Sequence, residues 1–121
     1  MTPATFGFPR SHRLTNSADF QFVFDNARKS SDNYLTVLAR ANDRGQPRLG
    51  LAISRKSIRN AVDRNRIKRL VRESFRLKVD RLSGVDFVVM ARTAARQADN
   101  QSLSMCLEKH WIILIKRCDS Y

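Results

Sequence analysis

The sequence has few of the residues on which protein catalysis and metal binding usually depend. Only 2 of its 121 residues are histidine and 2 are cysteine. The 11 Asp and Glu residues are scattered singly, and His12 and His110 are far apart, so no general acid–base pair or carboxylate cluster is evident. A glycine-rich phosphate-binding motif is also absent. We therefore expect no catalytic residue and no metal site built from the protein's own side chains.

Disulfide formation and membrane insertion are equally disfavoured. Cys106 and Cys118 lie in one predicted helix, about 18 Å apart at a rise of about 1.5 Å per residue, which is too far for a disulfide. Neither has the neighbours of a zinc site. No apolar run approaches the roughly 20 residues of a membrane-spanning helix, and no signal peptide is recognisable. We expect a cytoplasmic protein with reduced thiols and no membrane contact.

Positive charge is what the sequence has in excess. Lys and Arg number 23 and the formal net charge is +12, which is typical of proteins that bind nucleic acid. The length of 121 residues predicts one domain. We interpret residues 1–13 as a basic, flexible arm and residues 14–121 as a single RNA-binding domain.

The basic residues concentrate in residues 55–81, which contain 11 of the 23. A helix is predicted from an Asn60 N-cap to about Leu82, with Ser83 and Gly84 ending it. At 100° per residue its apolar face holds Ile67, Leu70, Val71, Ser74 and Phe75. Its opposite face holds Asn65, Lys68, Arg69, Arg72 and Arg76, flanked by Arg64 and Arg66. Because like charges on one face repel one another unless they are neutralised, this pattern indicates a polyanionic partner.

An aromatic stripe marks a short helix near the N terminus. Residues 15–17 are capable caps, and Phe20, Val23, Phe24 and Ala27 then share one face. Core packing is the stronger interpretation for Phe20 and Phe24 together. The alternative, a platform on which an unpaired base stacks, stays open.

Alternating apolar residues predict strands at 34–41 and 48–54, joined as an antiparallel hairpin. The second face of the later strand carries only the small residues Gly50, Ala52 and Ser54. That strip either admits a closely packed helix or floors a groove for an extended ligand.

The C-terminal part adds one strand and one helix. Residues 86–92 form a nearly continuous apolar run, which favours a central strand covered on both faces. Asp99 or Ser102 caps a last helix that runs to about Cys118. Its inner stripe holds Leu103, Cys106, Leu107, His110, Trp111 and Leu114. The predicted order is α-β-β-α-β-α, and the pattern at residues 28–31 is compatible with one more short strand.

The segment from Asn60 to Phe75, NAVDRNRIKRLVRESF, resembles the signature of the bacterial ribonuclease P protein component. Residues 64–70 are similar to that family's arginine-asparagine-arginine motif in full, and the similarity extends along nearly the whole chain. The resemblance implies an α+β fold: a single small domain, αβββαβα, with a mixed sheet packed with helices. It also implies that the basic helix lies in a left-handed βαβ crossover, where general rules predict a right-handed one.

The resemblance also implies a function. In this family the protein binds a catalytic RNA subunit and the 5′ leader of precursor tRNA, and it promotes endonucleolytic removal of the leader and broadens the substrate range. The RNA, with Mg²⁺ bound mainly by the RNA, performs the phosphodiester hydrolysis. We expect a 1:1 complex with the ribonuclease P RNA and no protein partner. The alternative is a structural RNA-binding protein, such as a ribosomal protein.

Two sets of site residues follow from matching positions. The resemblance assigns binding of the RNA subunit to Arg59, Asn60, Arg64, Asn65, Arg66, Lys68, Arg69, Arg72 and Arg76. It assigns binding of the precursor-tRNA leader to Arg13, Phe20, Phe24, Tyr34, Thr36, Ala52, Ser54 and Lys56. No residue is assigned to catalysis or to a metal.

Overall fold

A mixed sheet lies between helices in the described part of the chain. The computed structural model describes residues 13–14, 16–42, 45–78, 82 and 84–119, with only the backbone of 118 and 119. The elements in chain order are α1 (Ser17–Asp25), β1 (Arg28–Ser31), β2 (Leu35–Ala41), β3 (Arg48–Leu51), α2 (Ala61–Lys78), β4 (Val85–Ala91), a 3-10 helix (Thr93–Gln97) and α3 (Asn100–Asp119). The optional strand at 28–31 is therefore present.

Four of the predictions fall outside the described residues. They concern the arm at 1–12, the cap Thr15, the last turn of the basic helix beyond Lys78 together with Ser83, and the side chain of Cys118. The other caps are as predicted, because Asn16, Asn60 and Asp99 each accept a hydrogen bond from a backbone N–H in the first turn of a helix.

The sheet order is β1-β2-β4-β3, so the predicted hairpin between β2 and β3 is wrong. β4 lies between these two strands, antiparallel to β2 and parallel to β3. The reason lies in β4 itself, since six of its seven residues are buried and a strand covered on both faces is typical of the centre of a sheet. The prediction of a central strand at residues 86–92 is confirmed, and α2 forms the long crossover that joins the parallel strands β3 and β4.

The larger core fills the space between one face of the sheet and helices α2 and α3. Phe75, Phe87 and Trp111 meet there edge to face, with ring centroids 5.1 to 6.2 Å apart. The Trp111 indole N–H donates to the Ser74 hydroxyl at 2.8 Å, which explains a serine in the inner stripe of α2. Ile67 and Val71 are also buried, and both predicted inner stripes are confirmed.

His110 is a packed histidine, as predicted, and its partners come from distant parts of the sequence. The side chain is 3% exposed. Its Nδ1 lies 2.6 Å from the Ser30 hydroxyl and its Nε2 lies 2.9 Å from a carboxylate oxygen of Asp32. Both ring nitrogens are therefore satisfied inside the fold, and they tie α3 to β1.

A second, smaller core lies on the other face of the sheet, under α1. Val23 of α1 packs there with Leu14, Leu38 and Val88. The Leu14 N–H donates to the Leu49 carbonyl at 3.0 Å, so residues 13–14 run along the outer edge of β3. This core holds α1 over part of the sheet, and three described residues on the rest of that face are only partly buried.

Candidate nucleic-acid interface

On the sheet face that carries the smaller core, three further side chains are only partly buried. Side chains two positions apart on a strand lie on the same face of the sheet. Thr36 therefore shares a face with Leu38, Met90 with Val88, and Ala52 with Gly50. Thr36 and Met90 stand opposite each other in the β2–β4 register. Thr36, Ala52 and Met90 are only partly buried. We call these three residues the open sheet face.

Phe20 and Phe24 of α1 differ in their exposure. Their rings are 6.5 Å apart at an interplanar angle of 29°. Phe20 is partly buried against the smaller core, and its ring lies so close to Gly50 that a Cβ built there would be 2.6 Å from Phe20 Cε1. Phe24 is 43% exposed. Core packing is therefore confirmed for Phe20, which packs over Gly50, and is wrong for Phe24, whose ring is exposed to solvent. The stacking platform stays a prediction.

Two arginines of the basic helix are used to hold the fold together. Arg64 donates to the carbonyls of Ile58 and Arg59 at 2.9 and 2.8 Å, which braces the segment that leads into α2. Arg66 donates to Asn100 Oδ1 at 2.7 Å and to the carbonyls of residues 96 and 98 at 3.2 and 3.1 Å. Arg66 thus clamps α2 to the start of α3.

Two further cations of α2 are paired with carboxylates. Arg76 forms an ion pair with Glu73, one turn away on the same helix. Lys78 reaches Glu108 of α3, with 3.0 Å between the Nζ and Oε1 atoms. Exposed pairs of this kind contribute little stability, and both cations remain near the surface.

The remaining cations form an exposed group. Within the described residues, Lys68, Arg69 and Arg72 make no hydrogen bond or ion pair. Arg69 and Arg72 are exposed and Lys68 is half-buried. We call these three residues the free cationic strip. Since they have no internal partner, their charges are available to an external anion.

A cleft joins this strip to Phe20. Its volume is about 480 Å³, and it lies between α1, the edge of β3 and α2. Its lining consists of Arg13, Leu14, Phe20, Leu49, Leu51, Lys68 and Arg72. The cleft therefore brings together residues from both predicted sets, Arg13 and Phe20 from the leader set and Lys68 and Arg72 from the RNA-subunit set.

The other predicted residues take different places. Lys56 is exposed in a turn that Ser54 stabilises by accepting the Ser57 N–H at 3.1 Å. Tyr34 packs against the larger core and borders a separate cavity of about 530 Å³ beside Arg92. The structure does not bring Tyr34 together with Phe20.

Sequence reasoning missed two residues near the open sheet face. Met90 belongs to it, and the alternation within residues 86–92 contains that signal. Arg92 lies beside it, because its guanidinium donates to Ser31 Oγ at 3.3 Å and that hydroxyl lies 3.0 Å from Thr36 Oγ1. Nothing local in the sequence distinguishes Arg92 from other surface arginines.

The described residues contain neither a candidate metal site nor a candidate membrane span. No three His, Cys, Asp or Glu side chains among them come together as a group able to hold a metal ion. No helix in the same part of the chain combines the length and apolar character that a membrane span needs.

Comparison with known proteins gives one consistent result. A family model described as Ribonuclease P matches residues 8–114. The ribonuclease P protein component of Methylococcus capsulatus is 62% identical over 113 residues, which cover 93% of this chain and 88% of the relative. Two solved ribonuclease P proteins share the fold. That of Staphylococcus aureus has a TM-score of 0.78 at 30% identity, covering 84% of this chain and 94% of the other. That of Thermotoga maritima has a TM-score of 0.70 at 31% identity, covering 87% and 96%.

Proposed function

The chain belongs to the ribonuclease P protein family, and from that premise we propose that it binds the catalytic RNA of ribonuclease P and the 5′ leader of precursor tRNA. In this proposal the RNA subunit, with its own Mg²⁺, hydrolyses the phosphodiester bond. The protein raises the affinity for the substrate and broadens the range of precursors that are cleaved. It works in the cytoplasm as a 1:1 complex with the RNA.

One observation carries the proposal on the protein's side. Among the described residues, Lys68, Arg69 and Arg72 of α2 have no partner, whereas Arg64 and Arg66 are occupied by backbone carbonyls. Unpaired cations on a rigid helix suit the phosphates of an RNA partner. The open sheet face is uncharged and Phe24 has an exposed ring, and both suit an unpaired strand whose bases stack on aromatic rings.

Salt dependence tests the electrostatic part of the proposal. If the bound protein neutralises about six phosphates, log K for the RNA subunit should fall by roughly 4 to 5 per tenfold rise in salt. Filter binding across a salt series measures this slope. An affinity that does not change with salt would contradict an electrostatic role for the basic helix α2.

Cleavage of a 5′-labelled precursor tRNA at low Mg²⁺ tests the function itself. The reactions contain the protein alone, the ribonuclease P RNA alone, or both. We expect cleavage at the mature 5′ end only when both are present. RNA binding without stimulated cleavage would instead indicate a structural RNA-binding protein, and cleavage by the protein alone would reveal an active site in the protein.

A further inference from the structure

We infer that the cleft between α1, β3 and α2 seats one unpaired nucleotide of the leader strand, with Lys68 and Arg72 binding its phosphate. This inference rests on the proposed function. It differs from the assignment by resemblance, in which Lys68 and Arg72 belong with Arg69 to the surface for the RNA subunit. In the structure, Lys68 and Arg72 line the cleft, and Arg69 does not.

The size and lining of the cleft suit a nucleotide. Its volume of about 480 Å³ falls within the range of about 300–1,000 Å³ that is typical of small-ligand sites. Leu14 and Leu49 are almost fully buried, so the partly buried Phe20 and Leu51 are the apolar lining residues that a base or sugar can contact. Lys68 and Arg72 stand one helical turn apart, so their heads approach the same point. A phosphate there would meet two cations that no described side chain already pairs.

Phe20 connects the cleft with the open sheet face. Its ring borders the cleft, packs against the same smaller core as Ala52 and Met90 of the open sheet face, and stands 6.5 Å from the ring of Phe24. An unpaired strand that stacks on Phe24 therefore reaches the cleft by passing one further ring. The base-paired helices of a folded RNA have no unstacked base to place in such a cleft, which favours a single-stranded segment such as the leader as the occupant.

Arg69 provides a matched control. It follows Lys68 directly in α2, is turned by about 100° from it, and carries the same charge, yet it does not line the cleft. If charge alone mattered, substitution of Lys68, Arg69 or Arg72 by alanine would have the same consequence. If the cleft binds a leader phosphate, Lys68→Ala and Arg72→Ala should weaken leader binding, whereas Arg69→Ala should not.

The experiment uses the reconstituted complex of full-length protein and RNA subunit. Affinity is measured for a precursor tRNA and for the same tRNA without a leader, and their ratio is the leader effect. We expect Lys68→Ala and Arg72→Ala each to reduce the leader effect about tenfold, the size of one charge-assisted contact, while affinity for the RNA subunit changes little. Lys68→Arg should restore most of the effect. Arg69→Ala should weaken RNA-subunit binding and keep the leader effect.

A charge scan along the leader locates the phosphate. Single phosphates are replaced, one at a time, by uncharged methylphosphonates. At one position the replacement should cost the wild-type complex about tenfold and cost the Lys68→Ala complex clearly less, because one of the two cations that bind the phosphate is already missing.

Two results would overturn the inference. The first is that Lys68→Ala and Arg72→Ala behave like Arg69→Ala, weakening only RNA-subunit binding. The second is that no methylphosphonate position distinguishes wild type from Lys68→Ala. Failure of the proposed function looks different, because the wild-type protein would then produce no leader effect at all.

Discussion

Arg48 and Asp86 form a buried, two-point ion pair between neighbouring strands. Arg48 Nε lies 2.8 Å from Asp86 Oδ1, and Arg48 Nη2 lies 2.6 Å from Oδ2. Asp86 is fully buried and Arg48 is 8% exposed. The Arg48 guanidinium also reaches Asp19 of α1, with 3.5 Å between Nη1 and Oδ1. This pair therefore links β3 and β4 to the helix that carries Phe20 and Phe24.

Removing one member of this pair should destabilise the fold strongly. Asp86→Ala leaves the buried Arg48 charge with only the longer contact to Asp19, and we expect the free energy of unfolding to fall by about 3–5 kcal/mol. Asp19→Asn removes a more exposed partner and should cost less than about 1 kcal/mol. Urea denaturation of both variants gives the comparison. Similar losses of stability in the two variants would show that the Arg48–Asp86 pair stabilises the fold no more than the Arg48–Asp19 pair does.

Arg66 and Arg69 should respond differently to substitution although both belong to the basic helix. Arg66→Ala breaks the clamp to the carbonyls of residues 96 and 98, and it should lower the free energy of unfolding by about 1–3 kcal/mol. Arg69→Ala should leave stability unchanged and weaken RNA-subunit binding by about 1–3 kcal/mol. Denaturation and filter binding on both variants test this. Unchanged stability in Arg66→Ala would contradict the clamp.

Gly50 should tolerate no side chain while Phe20 is in place. A Cβ at this position would lie 2.6 and 2.7 Å from the Phe20 ring and 3.0 Å from Leu14. Gly50→Ala must therefore push the ring and α1 outward, and we expect a loss of about 1–3 kcal/mol in stability. In a Phe20→Ala background the same substitution should cost much less. A double-mutant cycle by urea denaturation measures this difference, and additive losses would argue against the contact.

Cys106 should be an unreactive thiol. Burial raises its pKa to about 11, and a hydrogen bond to Asp32 and the charge of that carboxylate act in the same direction. Only about one molecule in a thousand then carries the thiolate at pH 8. In a Cys118→Ser background, alkylation by iodoacetamide should be slow at pH 8 and accelerate up to about pH 11. Asp32→Asn should speed the reaction, and a wild-type rate equal to that of a small thiol would refute this account.

Asp32 should contribute to stability above acidic pH. Burial raises the pKa of Asp32. Hydrogen bonds from the Leu35 and Tyr34 N–H groups and from Cys106 lower it, as does the charge of His110. These effects outweigh burial, so the pKa lies below 3.8. A lowered folded-state pKa gives stability that is present above 3.8 and is lost as pH falls through the folded value. Unfolding measured from pH 6 to pH 2 should show a shallower acid loss in Asp32→Asn. An identical profile would contradict this contribution.

Much of the fold was predictable because its signals are local. The caps Asn16, Asn60 and Asp99, the inner stripes of α2 and α3, and the apolar run of β4 each depend on residues within a few positions of one another. The hairpin between β2 and β3 was predicted wrongly for the complementary reason. Alternation shows that a segment is a strand, but it does not show which strand will lie beside it.

The candidate site divides in the same way. The sequence by itself determined the family, the helix that carries the basic residues, and the face on which their charges gather, since these follow from a contiguous motif and a period of 3.6 residues. Only the tertiary structure decided which of those charges are available. Arg66 is occupied by carbonyls some 30 residues away, and Lys68 and Arg72 meet Phe20 across a cleft. These pairings depend on how three separate elements pack, and no short stretch of sequence contains that information.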